Sequence, residues 1–140
     1  MIAGYKIVLG APGATDYLRL RVAAGLSAKT AEQAAKGLPN TWFGVTLLHN
    51  GKAIGMGRII GDGGTAFQIV DIALEPEHHG KGLGKAIISA LMDHLRTHAP
   101  QGAYVSLIAD GDARHLYAKY GFESVTPHSI GMATLVKAKG

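Results

Sequence analysis

Apolar residues recur along this chain at two periods, and the switches between them lay out its elements. Tyr5 to Leu9 reads as a short strand that ends at a Gly-Ala-Pro-Gly turn. Leu18 and Val22 are four apart, which predicts a helix from a cap at Thr15 or Asp16 to about Ala24, ended by Gly25. A second helical stretch, Ala28 to Lys36, is opened by Ser27 and stopped by Gly37 and Pro39. Trp42 to Leu48 and Ala53 to Ile60 read as two strands joined through His49-Asn50-Gly51-Lys52, whose Asn-Gly pair is a strong hairpin signal. After a turn at Gly61-Asp62-Gly63-Gly64, Ala66 to Leu74 forms a long strand that stops before Pro76. Leu83, Ile87, Leu91 and Leu95, backed by Ile88 and Met92, make the apolar stripe of an amphipathic helix. A strand over Ala103 to Ala109, a helix over Asp112 to Tyr120 closed by Gly121, and a last strand over Ser129 to Val136 complete the pattern. The order predicts one α/β domain over residues 1–140 with a mixed sheet, hairpin-rich in its first half.

Composition narrows the chemistry. The chain has no cysteine, which removes disulfides, thiolate zinc sites and cysteine nucleophiles. No apolar run approaches the ~18 residues of a membrane span. The N-terminal residues lack the pattern of a secretory signal, so a cytoplasmic location is expected. Fourteen basic residues against ten acidic give a net charge of +4, which favours an anionic ligand. The basic residues are scattered, which argues against a nucleic-acid surface.

The 20 glycines sit at turns and in one dense cluster, the three of His79-Gly80-Lys81-Gly82-Leu83-Gly84-Lys85, between the long strand and the amphipathic helix. A helix N-terminus offers free N–H groups and the positive end of a dipole, and glycine lets an anion approach the backbone. Lys81 and Lys85 add positive charge. The segment therefore predicts a phosphate site. It is not a Walker loop, because His79 stands at the first glycine position and Ala86 replaces the magnesium-binding hydroxyl. It is not a dinucleotide fingerprint, because Lys85 occupies the third glycine position.

The loop does match [QR]-x-x-G-x-[GA], with Gly82 and Gly84 in register and His79 in place of Gln or Arg. Downstream, Ala113-Arg114-His115-Leu116-Tyr117-Ala118-Lys119-Tyr120-Gly121-Phe122 matches A-x-x-L-Y-x-K-x-G-F. Both blocks, in this order, resemble the GNAT superfamily of N-acetyltransferases, from Gly55 to about Phe122. That resemblance implies an α+β fold with a mixed, mostly antiparallel sheet whose middle strands splay, flanked by helices. It implies acetyl transfer from acetyl-CoA to a primary amine by direct attack, with no metal. The pantetheine arm would pair with the backbone at Ile72, Ala73 and Leu74, and the pyrophosphate would lie on the N–H groups of Gly80 to Lys85. His79 would donate to phosphate. Asp110 stands where many members carry Asn near the cofactor arm. Tyr117 matches the tyrosine that protonates the departing thiolate.

An amine with a pKa of about 10.4 is almost wholly protonated at pH 7, so deprotonation needs a base or a water chain. Asp71 is the expected base, alone or through a water relay; Gln68 and Val70 cannot serve. Arg58 either pairs with Asp62 to support a turn or faces the acceptor pocket. His94 and His98 are expected on an exposed face, and Trp42 and Phe43 in the core. A small-molecule amine and a homodimer are the expected acceptor and assembly. A non-catalytic acyl-CoA sensor and a peptide N-acetyltransferase are the alternatives.

Overall fold

The computed structural model describes residues 2–138, which form two compact units, one ending at Leu107 and the other beginning at Ile108. The first unit holds a five-stranded sheet: β1 (Tyr5–Leu9), β2 (Phe43–His49), β3 (Lys52–Gly61), β4 (Ala66–Leu74) and β5 (Tyr104–Ser106). Sheet order follows chain order. Every neighbouring pair is antiparallel except β4 and β5, which run parallel. Helices α1 (Ala14–Ala23) and α2 (Ala31–Gly37) precede β2, and α3 (Leu83–His98) connects β4 to β5. The mixed, mostly antiparallel sheet flanked by helices is the expected fold.

Local chemistry explains most element ends. The β2–β3 turn uses Asn50 and Gly51 at φ 49° and 83°, the left-handed pair that a tight hairpin requires. Helix α2 starts three residues later than expected, because Thr30 and Gln33 form a reciprocal capping box there. The turn after β3 is organised by Asp62, whose carboxylate accepts from the N–H groups of Gly64, Thr65 and Ala66 and from the Thr65 hydroxyl. Those bonds hold its pKa far below the usual carboxylate range.

The two faces of the sheet pack differently. One cluster joins Tyr17 and Leu20 of α1 and Ala34 of α2 to Ala53, Met56 and Ala73 of the sheet. On the other face lies α3, with Leu83, Ile87, Ile88, Leu91 and Leu95 buried. Gly57 is what lets α3 come close. A Cβ there would stand 2.7 Å from Ile87 Cγ2 and 2.8 Å from Ile72 Cδ1. Gly57→Ala is expected to destabilise by about 1–3 kcal/mol in urea unfolding, as overpacked cores do. Gly37→Ala, where an added Cβ meets nothing, should leave the unfolding midpoint unchanged or slightly raised.

Two strand predictions are corrected. Strand β5 spans Tyr104–Ser106 only, because β4 pairs with it only at Ala66, Phe67 and Gln68. No strand forms over Ser129–Val136; Ile130, Met132, Leu135 and Val136 are exposed. Alternation alone does not make a strand where no neighbour completes the ladder. In the second unit the expected helix is present as α4 (Ala113–Ala118), closed by Gly121 at φ 90°.

Candidate active site

Strand β4 is irregular at its centre. Met56 pairs with Ala73 and Arg58 with Val70, so Asp71 and Ile72 together oppose Gly57. This is a β-bulge, and Asp71 takes a left-handed φ of 57° within it. Asp is among the few side chains that tolerate this region. The extra residue changes which face β4 presents. Phe67 stacks near Trp42 on the α3 side, whereas Ala73 joins the α1 cluster. Asp71 is thereby turned toward α1.

There its carboxylate is fully engaged. Oδ1 accepts from Arg21 Nη1 in a close ion pair; Oδ2 accepts from the Tyr17 hydroxyl at 3.0 Å and from Arg58 Nη1 at 3.2 Å. The side chains of Asp71, Arg21 and Arg58 are 8%, 10% and 9% exposed, so the cluster is nearly dry. Burial, and then the Asp71 charge, push the Tyr17 phenol above its ordinary pKa of 10.0. Arg58 therefore does not pair with Asp62, one of the two arrangements open from sequence. It also lines a cavity with Tyr17, and its Nε–H has no partner.

Beyond Gln68 no strand among the described residues pairs with the outer edge of β4, so Ile69 to Leu74 present a backbone edge. That edge leads through a 3₁₀ turn (Pro76–His78) into the glycine segment. Gly80 and Gly82 sit at φ 77° and 76°, and a Cβ at either would meet nothing within 4 Å. Their glycine identity thus follows from conformation, and the space above them is open. Gly82 is the N-cap of α3 with no side-chain cap, and the first turn carries no acidic residue. The first helical bond runs from Ala86 N–H to Gly82 O, as expected at a helix start whose leading N–H groups precede the intrahelical ladder.

The two loop histidines are anchored. His78 Nδ1 meets the Tyr5 hydroxyl at 2.6 Å, and His79 Nε2–H donates to Leu74 O at 3.1 Å. The strand exit is held from behind by Glu75, which pairs with Arg19 and, at 3.8 Å, with Lys52. Neither Arg19, Arg21 nor Glu75 had been singled out by sequence reading. Buried Arg21 interrupts a helix face otherwise made by Tyr17 and Leu20, and that interruption is its only local signal; Arg19 is half-exposed.

Tyr117 lies in α4, edge-to-face with Phe122 at 6.3 Å. Burial, and then the Asp110 carboxylate, raise its pKa above 10.0. Asp110 precedes α4 and accepts the Ala113 N–H through its carbonyl. At the far end of the sheet, His94 stacks on Phe43 at 3.6 Å and on His98 at 4.0 Å. Burial, and then His98, lower its pKa. A groove of about 720 Å³ lies at that end beside Trp42 and Phe43, with no residue of the glycine segment in its lining. Among the described residues no three His, Cys, Asp or Glu gather as a metal site, and no helix is long and apolar enough to cross a membrane.

A strand with an open edge, a left-handed glycine turn and an uncapped helix are the frame of an acyltransferase of the GNAT type. The chain belongs to the GNAT acetyltransferase family, whose profile covers residues 16–122. It is 46% identical, with a TM-score of 0.90, to a solved protein of unknown function from methicillin-resistant Staphylococcus aureus described as a probable acetyltransferase; the match covers 94% of this chain and 99% of that one. A GNAT-family protein from Streptococcus pneumoniae shares the fold at 19% identity and a TM-score of 0.74, over 96% and 99% of the two chains. An uncharacterised N-acetyltransferase of Pyropia yezoensis is 34% identical over 52% of this chain and 41% of its own length. A chloroplastic GCN5-related N-acetyltransferase of Arabidopsis thaliana is 36% identical over 52% of this chain and 28% of its own. The matched segment thus spans less than half of either curated relative.

Proposed function

We propose that the protein transfers an acetyl group from acetyl-CoA to the primary amine of a small molecule by direct attack on the thioester. The observation that carries this reading is the uncapped start of α3, with two left-handed glycines under open space, at the end of a strand whose outer edge is unpaired. Free N–H groups and the helix dipole suit a pyrophosphate. The edge at Ile72, Ala73 and Leu74 suits the amide-bearing pantetheine arm. Lys81 and Lys85 supply charge. His79 has its Nε2–H committed to Leu74, so the phosphate contacts fall chiefly to the backbone and the lysines.

Two proton transfers accompany the attack. The thiolate leaves as Tyr117 gives up its hydroxyl proton, and burial with Asp110 keeps that phenol protonated. The proton lost by the amine passes to water held at the β4 edge. Asp71 organises Arg21, Arg58 and Tyr17 and serves this step by position, since its oxygens already accept from all three. We read residues 1–140 as one acetyltransferase domain, because the family profile crosses the boundary between the two units. The cytoplasmic setting expected from the sequence and the homodimer implied by family resemblance belong to the same reading.

Calorimetric titration with acetyl-CoA, ATP and NAD at one salt concentration tests it. Micromolar binding of acetyl-CoA alone is expected. Binding of ATP or NAD instead, or of none by folded protein, would overturn the assignment of the glycine segment.

A further inference from the structure

The cavity beside Asp71 has a chemical character of its own. It holds about 190 Å³ between α1, α2 and β3, with Ala34 and Leu38 among its apolar walls. Its polar lining is Tyr17, Lys29, Gln33 and Arg58, and it contains no carboxylate. The Tyr17 hydroxyl donates to Asp71. The Gln33 oxygen accepts the Thr30 N–H in the capping box, which leaves its amide nitrogen as the spare end. Arg58 is buried, and its Nε–H has no partner. Lys29 contributes an ammonium. Apart from the lone pairs of the Tyr17 oxygen, the side-chain groups left over at this cavity are donors.

The charge count points the same way. Two guanidiniums, Arg21 and Arg58, share the single carboxylate of Asp71 in a nearly dry environment. One buried positive charge remains uncompensated, and half-buried Lys29 adds another at the margin. A buried cation with an idle N–H is costly until an anion meets it. The groups not engaged elsewhere are an Nε–H, an ammonium and an amide NH₂, and a carboxylate accepts only, through about four lone-pair sites. A single negative charge balances the buried excess of one, with Lys29 at the margin where solvent screens its charge. Nearby Glu32 does not supply the anion, because it is exposed and paired with Lys36 at 3.1 Å.

We infer that this cavity seats a carboxylate carried by the amine acceptor, with Arg58, Lys29 and Gln33 as the groups that read it. The substrate class is therefore an amino acid or another small amine bearing a carboxylate. This rests on the acetyltransferase reading above and adds the acceptor's charge. Arg58 also contacts Asp71 in the β4 bulge, so a carboxylate held by Arg58 would set its own amine beside the open edge of β4.

The test measures thiol release from acetyl-CoA with the standard L-amino acids, each beside its carboxamide, and with O-phosphoethanolamine as a phosphate-bearing amine. Binding of the same compounds to acetyl-CoA-loaded protein is followed by calorimetry. At least one amino acid is expected to exceed its carboxamide in kcat/KM by about 30-fold, the scale of one charge-assisted contact. Lys29→Gln should raise KM for that amino acid about tenfold with kcat and acetyl-CoA affinity unchanged, and Lys29→Arg should restore it. Equal rates for acid and amide, preference for phosphoethanolamine, or an unchanged KM in Lys29→Gln would overturn the inference and leave the acetyltransferase reading standing. So would acetyl-CoA binding with no amino acid bound or turned over. Failure to bind acetyl-CoA would overturn both.

Discussion

Asp71→Ala is expected to destabilise the protein by about 3–5 kcal/mol, the scale on which a broken buried ion pair leaves its partners uncompensated. Two guanidiniums and a phenol lose their common acceptor at once, all in a nearly dry cluster. Domains of this size rest on about 5–15 kcal/mol in total, so the loss removes much of the margin. Asp71→Asn keeps an acceptor oxygen and a side chain that tolerates the left-handed backbone, and should fall between wild type and alanine. Equilibrium urea unfolding, with the slope checked for constancy, measures both. A dedicated general base would behave differently: Asp71→Asn would unfold like wild type while turnover collapsed.

Tyr117→Phe should lower turnover by about 10²–10⁴-fold, the usual contribution of a positioned general acid, while acetyl-CoA affinity changes by less than about threefold. The hydroxyl is the only atom removed, so packing against Phe122 is preserved. Burial and the Asp110 carboxylate both disfavour the phenolate. The wild-type rate should accordingly lose no acid function until the pH passes above 10, and Asp110→Asn should bring that alkaline limb downward. Single-turnover thiol release across pH, set beside calorimetric affinity, separates the proton step from binding. Unchanged turnover in Tyr117→Phe at saturating substrate would remove the tyrosine from this role.

What could be read from the chain alone was whatever is written locally. Strand β4 begins and ends where its apolar run does, at Ala66 and Leu74. The Asn50-Gly51 hairpin and the buried stripe of α3 follow from turn chemistry and a 3.6-residue period. The site's organisation was not local. A bulge adds one residue to a pairing, and no alternation within β4 reveals that Gly57 faces two residues rather than one. Arg21 meets Asp71 across 50 positions of sequence, and Arg19 meets Glu75 across 56. Such partners leave only a charged residue on a face that should be apolar. The supposed strand at Ser129–Val136 failed for the converse reason: its alternation was present, but a ladder needs a neighbour.

The missing side chain at Gly57 has a consequence beyond packing. Helix α3 rests on β3 through Ile87 and Leu91, both within 3.0 Å of where a Cβ would be, and its first turn is the end proposed to bind pyrophosphate. The thickness of this contact sets the height of the turn above the sheet, and so the span between the proposed pyrophosphate site and the edge of β4. Gly57 thus acts as a gauge. A bulkier residue there would lift the helix and put the proposed site out of calibration for a pantetheine arm of fixed length, without altering any group proposed to touch it.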